Sequence, residues 1–286
     1  MTHFGGYLSR LLAHRGIRPD ELPGVPELPA VLAGAAPTVD QLDLLAPVLG
    51  FHAADLYLMA GLPEAPAYRA SGGNRWRLVP AARVLSPERL ARVVELADGL
   101  PREPVEPPPG PVPRFDPRVG GFGAVLVNLL WCGRNMRPRD IQWALVTLTD
   151  VGLSQPTIFG VAQRPDSLTP EIAAGLGTVL GFAPGDVAAM AGLPLPGIPY
   201  EADPRAAELA DLLWRCRDLT TEQGKAVTEA AEALLVQVPP GAPAEEWNRV
   251  YARGDVWWGA PKEWTVAGSA TPAPGGVSCA GGTGAG

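Results

Sequence analysis

An internal repeat constrains the fold of this 286-residue chain more than any other feature of its sequence. Residues 48–63 are VLGFHAADLYLMAGLP and residues 179–194 are VLGFAPGDVAAMAGLP, so ten of sixteen positions are identical at an offset of 131. The stripe Phe4, Leu8, Leu11 and Leu12 recurs at an offset of 118 as Phe122, Leu126, Leu129 and Leu130, and the segment from Arg83 resembles the one from Arg217. Self-similarity of this kind indicates one module of roughly a hundred residues that occurs twice.

Both copies have the apolar spacing of helices, because their apolar residues recur at three and four positions rather than at two. Thr38 is followed three residues later by Gln41, and Thr220 by Gln223, which is the pattern of a helix-capping box. Ser86 and Thr169 each precede a proline, a second signal for a helix start. Glycine is placed to end helices at residues 50, 61, 181 and 192. No alternating strand pattern is present, so the sequence predicts an all-α fold.

The boundaries between segments follow changes in composition. Residues 1–66 form module one and residues 118–196 form module two, and each is followed by a helical annex, at residues 67–100 and 197–238. The linker between the copies, residues 101–117, is rich in proline and is expected to be an extended, semi-rigid spacer. Residues 239–264 are rich in tryptophan. Residues 265–286 consist of small and apolar residues without charge, and we expect a disordered tail there.

Composition and charge exclude several classes of protein. The net charge is −7, which argues against a protein that coats nucleic acid non-specifically. No apolar run approaches the roughly 18 residues that a membrane span needs, and the N-terminus lacks the unbroken apolar core of a signal peptide, so we expect a cytoplasmic protein with no membrane contact. The three cysteines have no paired spacing, and the three histidines match no metal or nucleophile pattern. We therefore expect no enzyme activity, no metal and no cofactor.

The order of predicted helices in module two resembles the five-helix DNA-binding domain of the phage-repressor-like XRE family. Helix one would be FGAVLVNLLWCGRNM, helix two RPRDIQWALVTLTD and helix three LSQPTIFGVAQR, followed by TPEIAAGLGTVLGF and GDVAAMAG. Module one matches this order less closely. Tandem degenerate copies with a helical annex after each also resemble a group of actinobacterial regulator-like proteins. The resemblance implies two repressor-like helix-turn-helix bundles and covers a little under half of the chain.

The resemblance also implies which residues would contact DNA, because helix three of the family lies in the major groove. Gln155 and Thr157 would face base edges, Ser154 would cap the helix, and Ile158 would face the core. Gln163 and Arg164 would lie at the far end, and Arg137 and Arg139 would hold phosphates at the start of helix two. Glutamine can bind adenine through two hydrogen bonds, and threonine can contact the methyl group of thymine. The alternative is that these are ordinary solvated helix residues.

Module one departs from the pattern in two ways. The offset between the copies rises from 118 at helix one to 131 at helix four, so module two is longer across the helix-turn-helix. The segment of module one that would be helix three, GVPELPAVLAG, contains Pro29, which disrupts a helix unless it falls in the first turn. No Lys or Arg occurs between residues 19 and 68, so module one offers DNA phosphates no positive charge.

Two other groups of residues have alternative interpretations. The first annex contains the arginines 69, 75, 77, 83, 89 and 92 around Trp76, which would form either a solvated helix face or a supplementary phosphate contact. Trp247, Tyr251, Trp257, Trp258 and Trp264 crowd the segment before the tail. Large aromatic rings are unfavourable in water, so this segment either folds back on module two or docks a partner or a second copy.

Two functions therefore remain in competition. The first is a DNA-binding transcriptional regulator, in which module two contacts duplex DNA and module one is a scaffold or a dimerisation unit. The second is a protein-interaction adaptor that keeps the repressor-like fold without DNA binding. The acidic net charge favours the adaptor, and the helix-three segment of module two favours the regulator.

Overall fold

The chain is helical throughout the residues that the computed structural model describes, which are 4–22, 24–62, 77–102, 115–196 and 202–235. The helices in these ranges are α1 (Phe4–Arg15), α2 (Leu28–Leu32), α3 (Val39–Leu49), α4 (Ala53–Ala60), α5 (Leu78–Arg83), α6 (Pro87–Gly99), α7 (Pro117–Asn128), α8 (Pro138–Leu148), α9 (Gln155–Gln163), α10 (Pro170–Leu180), α11 (Pro184–Ala191), α12 (Ala206–Cys216) and α13 (Thr221–Ala233). The ranges contain no strand, only an isolated antiparallel bridge between Thr149 and Ala202. The predicted all-α class is confirmed for these residues.

The helix ends lie where the sequence signals place them. The Thr38 side chain accepts a hydrogen bond from the Gln41 backbone N–H, and the Gln41 side chain accepts one from the Thr38 N–H at 2.8 Å. Thr220 and Gln223 cap α13 in the same way. The four predicted stop glycines all have a left-handed backbone, with φ between 65° and 81°. Local capping chemistry therefore sets the ends of these helices.

The helices follow the spacing of the sequence repeat. α3 and α10 both have 11 residues, α4 and α11 both have 8, and the members of each pair start 131 residues apart. In the annexes, α6 and α13 both have 13 residues and start 134 residues apart. The two helices of each pair thus have the same length, and they are separated by the same offset as the sequence segments that form them.

Between helix one and helix four the two copies differ. Module two has two full helices there, α8 and α9, whereas module one has only a 3-10 turn (Pro19–Glu21) and the five-residue α2. The extra residues of module two therefore form α8, for which module one has no helix at the corresponding place. Pro29 lies in the first turn of α2, where its missing N–H costs no helical hydrogen bond.

The two modules pack on each other reciprocally. Helix α1 of module one packs against α11 of module two, and α4 packs against α7 and the π-helical turn Leu129–Gly133 that extends α7. The rings of Phe51 and Phe182, which are 131 residues apart, meet edge to face with centroids 4.7 Å apart. These contacts join residues of the first sequence copy to residues of the second.

Two ion pairs repeat the same exchange. Arg15 at the end of α1 holds Asp186 of α11 through two hydrogen bonds of 3.0 and 2.6 Å. Arg134, after the π-helical turn, holds Asp55 of α4 through two hydrogen bonds of 2.6 and 2.8 Å. Asp55 and Asp186 are 131 residues apart, so each copy supplies the arginine for the carboxylate of the other.

The second annex joins the first annex to module two. Helix α12 packs against α6 and α10, α13 packs against α5 and α6, and α5 packs against α8. Residues Met1–Leu235 consequently form one compact unit. None of the described helices has the length and apolar character that crossing a membrane requires.

Several predicted segments lie outside the described residues. They are most of the proline-rich linker (103–114), the tryptophan-rich segment from residue 239 and the predicted tail at 265–286. Within the linker, Asp116 caps α7 and Pro117, its predicted last residue, begins that helix. These segment boundaries remain predictions.

Candidate nucleic-acid interface

Helix α8 forms one half of the predicted helix-turn-helix. It starts at Arg137, whose backbone N–H donates to the Asp140 carboxylate at 2.7 Å, and Pro138 occupies the first turn. Its inner face is fully buried and contains Ile141, Ala144, Leu145 and Leu148. The spacing of these four residues is that of one helix face, so the residues between them are left towards solvent.

The connection from α8 to α9 is held by side-chain and long-range hydrogen bonds. The Thr149 hydroxyl donates to the Leu145 carbonyl at 2.7 Å and accepts from the Val151 N–H at 3.0 Å. The Asp203 N–H donates to the Leu148 carbonyl at 2.9 Å. The segment that precedes α12 therefore braces the turn, which fixes the angle between the two helices.

Helix α9 starts at Ser154, which accepts a hydrogen bond from the Thr157 N–H at 3.3 Å. The Ser154 and Thr157 hydroxyl oxygens also lie 2.8 Å apart. Ile158 is 1% exposed, so the prediction that it faces the core is confirmed. Capping and burial together leave the first turn of α9 pointing outward.

A close backbone approach fixes α9 against α7. A Cβ placed on Gly123 would lie 2.2 Å from the Val161 carbonyl oxygen, and one on Gly120 would lie 2.0 Å from the Ala162 carbonyl oxygen. Both distances are far below van der Waals contact, so only glycine permits this packing. Module one has the same approach, because a Cβ on Gly5 would lie 2.2 Å from the Val31 carbonyl oxygen of α2.

All seven residues predicted to contact DNA are exposed at the surface of module two. Five of them lie at the starts of the two helices: Arg137, Arg139, Ser154, Gln155 and Thr157. Gln163 and Arg164 lie at the other end of α9, about 12 Å along the helix from Gln155 at 1.5 Å per residue. The predicted set therefore divides into one group at the helix starts and one pair away from it.

A shallow depression lies between the start of α9 and the middle of α8. It is lined by Gln142 of α8 and by Gln155, Pro156 and Phe159 of α9. Arg139 lies one helical turn before Gln142 along α8. The sequence interpretation missed Gln142, although its position three residues after Arg139 was a usable signal.

An aromatic cluster supports this surface from behind. Phe159 meets Phe115 and Trp131 edge to face, with centroids 6.0 and 5.8 Å apart, and these two rings meet each other at 5.9 Å. The Asn128 side chain fixes Phe115, accepting from its N–H at 3.0 Å and donating to its carbonyl at 2.8 Å. The floor of the depression is thus apolar and rigid.

The charge on this surface is mixed. Arg137, Arg139 and Arg164 are exposed, and so are Asp150 and Asp166. Asp140 is buried at the helix cap. Phosphate contacts are therefore limited to a few arginines at the helix starts and do not form a continuous basic stripe.

Three of the six arginines of the first annex make contacts that the sequence did not predict. Arg77 pairs with Glu232 at 2.6 Å, and Arg83 pairs with Asp203 at 2.6 Å. Arg89 donates to the Leu234 carbonyl at 2.8 Å. These side chains join the two annexes, while Arg92 is exposed and arginines 69 and 75 lie outside the described residues.

Module one offers no equivalent surface. Its short α2 starts at Glu27, which has a left-handed backbone with φ of 50° and makes no side-chain cap. The absence of Lys and Arg between residues 19 and 68 covers α2 and the turn before it. Any nucleic-acid contact must therefore come from outside this segment.

The buried Arg134 lies in a polar cluster that the sequence interpretation missed. Its guanidinium lies 4.6 Å from the Trp214 ring centroid, and that of Arg217 lies 3.6 Å from it. His52 stacks on Trp214 with centroids 3.5 Å apart and makes no side-chain cap. Burial, together with the charges of Arg134 and Arg217, lowers the pKa of His52 to about 4. The one sequence signal for this cluster was Asp55, which is matched by Asp186 at the same position of the second repeat copy.

Comparison of the chain with protein-family models, with curated proteins and with solved structures finds no match. Within the described ranges, no three His, Cys, Asp or Glu side chains come together as a metal site requires.

Proposed function

We propose that the chain is a cytoplasmic DNA-binding transcriptional regulator in which module two contacts duplex DNA and module one is its scaffold. One observation carries the proposal: five of the seven candidate residues lie exposed at the starts of α8 and α9, and the start of α9 borders a depression that Gln142 of α8 also lines. A helix start directs backbone N–H groups outward, and the start of α8 adds two exposed arginines, so each start has the chemistry for a phosphate contact.

The first turn of α9 has the chemistry for reading bases. Gln155 is exposed and can make two hydrogen bonds to the edge of an adenine. The Thr157 hydroxyl lies 2.8 Å from that of Ser154, which leaves the Thr157 methyl group as its outward contact for a thymine methyl. Arg137 and Arg139 would neutralise phosphates on either side.

The role of module one follows from its packing. Arg15 and Asp55 of module one pair with Asp186 and Arg134 of module two, and α1 covers α11. Module one therefore stabilises module two while contributing no basic residue between positions 19 and 68. A chain with one DNA-binding helix-turn-helix would contact a single half-site and not a palindromic site.

Binding of the full chain to a random-sequence duplex pool at low salt tests the proposal. Each of Arg137→Ala and Arg139→Ala should weaken binding to all sequences and lower the log-log salt slope by roughly 0.9. Gln155→Ala should instead relax preference at one base pair, at about 1 to 3 kcal/mol. Arg92→Ala is the matched control, since Arg92 is exposed on α6, away from α8 and α9. Equal salt slopes in the Arg92 and Arg139 variants would refute it.

A protein-interaction adaptor is the second candidate, and one observation favours it. The same surface of module two is partly apolar, with Pro156 exposed, Val146 54% exposed and Phe159 half-buried. An exposed apolar patch also suits a protein ligand. Absence of duplex binding at low salt, together with protein capture that is lost in Phe159→Ser, would replace the regulator with the adaptor.

A further inference from the structure

Helix α3 of module one presents an apolar face to solvent. Leu44 is 45% exposed and Val48 is 49% exposed, and the exposed Pro47 lies between them on the same side of the helix. Residues four apart lie on one helix face, so these three form a continuous strip. We call Leu44, Pro47 and Val48 the α3 strip. Single exposed apolar residues are ordinary, but a strip at helical spacing is the pattern of a helix-packing face.

The corresponding face of module two is covered. At the repeat offset of 131, Leu44, Pro47 and Val48 correspond to Gly175, Thr178 and Val179 of α10, which are all buried. A Cβ on Gly175 would lie 3.2 Å from the Leu145 side chain of α8 and 3.1 Å from that of Val151. Helix α8 and the turn after it therefore cover this part of α10.

The difference follows from the missing helix. Module one has the 3-10 turn Pro19–Glu21 in the interval where module two has α8. Among the described residues at that place, module one has no helix against the outer side of α3, while the inner side of α3 is buried through Leu42, Leu45 and Leu49. The α3 strip is thus a helix-packing face whose helix is absent from module one.

We propose that the α3 strip is a docking surface for an amphipathic helix of a partner protein, which takes the place that α8 takes in module two. The partner helix presents an apolar stripe to Leu44 and Val48 and carries Lys or Arg beside that stripe. This surface lies on module one, so the proposal does not depend on DNA binding by module two.

Charge supports a basic partner. Asp40 lies one turn before Leu44 and Asp43 one turn before Pro47, and both are exposed. The segment between residues 19 and 68 contains no Lys or Arg to offset them. A helix with Lys or Arg beside its apolar stripe gains from this potential. A second copy of the chain would instead bring two further aspartates to the same place, which disfavours self-association through this surface.

The size of the Leu44 side chain limits which residue the partner helix can place opposite it. In module two, Gly175 lets α8 approach closely, with Leu145 pointing at the glycine. Leu44 fills that space in module one, so the docked helix must place a small residue such as alanine opposite it. A partner helix is therefore expected to combine a small central residue with larger apolar residues one turn away.

The probe is a fluorescein-labelled peptide of residues 137–149 with Leu145→Ala, because it combines the α8 stripe with Arg137, Arg139 and a small central residue. Anisotropy with the full chain should show saturable binding. The variant Leu44→Asp/Val48→Asp should weaken it by at least about tenfold, since the strip loses its apolar burial. A peptide with both arginines changed to glutamate should also bind more weakly.

Val119→Asp is the control, because Val119 is 62% exposed on α7 and lies outside the strip. All variants change exposed residues, and circular dichroism checks that they keep the helix content of the parent. The proposal is overturned if the parent shows no binding up to about 1 mM peptide, or if Leu44→Asp/Val48→Asp binds as the parent does. It is also overturned if light scattering shows a dimer of the parent that this variant dissociates, which would assign the strip to a second copy.

Discussion

The buried ion pair between Asp55 and Arg134 should be the most sensitive polar contact in the chain. Both side chains are 0% exposed, and two hydrogen bonds of 2.6 and 2.8 Å join them. Asp55→Asn keeps the shape of the side chain but leaves the guanidinium without its countercharge. Its neighbours also include the Leu180 carbonyl at 3.4 Å and the Trp214 ring, neither of which carries a charge.

The expected loss in the free energy of unfolding is about 3 to 5 kcal/mol, the usual cost of removing one partner of a buried pair. The ion pair between Arg15 and Asp186 occupies the corresponding place in the repeat and allows the two losses of stability to be compared. In that pair Arg15 is 26% exposed and Asp186 is 10% exposed, so water still solvates the guanidinium. Asp186→Asn should therefore cost less, about 1 to 2 kcal/mol.

Urea unfolding followed by far-UV circular dichroism measures both losses on the full chain. The double variant Asp55→Leu/Arg134→Met should recover much of the stability that Asp55→Asn loses, because it buries no unpaired charge. The reasoning is refuted if Asp186→Asn costs as much as Asp55→Asn. It is also refuted if the double variant is less stable than Asp55→Asn, since unpaired charge would then not be the cause.

Two further predictions concern backbone packing and pH. Gly123→Ala should lower the free energy of unfolding by at least about 2 kcal/mol, because its Cβ would lie 2.2 Å from the Val161 carbonyl oxygen. Gly99 has open space around it, so Gly99→Ala should be neutral or stabilising. Thermal melts of the two variants check this difference. The pKa of His52, measured by NMR titration, should be about 4. This folded-state pKa lies below the unfolded value of about 6.5. The contribution of His52 to stability is therefore fully present above about pH 6.5 and is lost as the pH falls towards 4. Trp214→Leu should return the His52 pKa towards 6.5, and an unchanged pKa would contradict burial against Trp214 as its cause.

The sequence by itself determined the local structure. The Thr38 and Gln41 pair and the glycines at 50 and 181 fix helix ends, because a cap acts within one turn and needs only its neighbours in the chain. The burial of Ile158 was predictable from its spacing on α9 for the same reason. The exposure of the five candidate residues at the starts of α8 and α9 also followed, since polar residues at the start of an amphipathic helix face water.

The sequence predicted the position of the extra residues of module two but not the structure of module one at that place. The rise in offset from 118 to 131 placed the additional residues between helix one and helix four. It did not say that module one would keep a short α2 and have only a 3-10 turn in place of α8. The reason is that Pro29 permits a helix only in its first turn, and the packing of Gly5 against α2 is what fixes that short helix.

Tertiary structure alone decided which segments meet. Arg134 pairs with Asp55 across 79 positions and Arg15 pairs with Asp186 across 171, and neither arginine differs locally from a solvated one. In sequence the arginines of the first annex fit either a solvated helix face or a phosphate contact, whereas in the structure Arg77 pairs with Glu232 of the second annex. Capping acts within a turn of the chain, whereas burial and ion pairing depend on which distant surfaces fit together, and that fit exists only once the helices have packed.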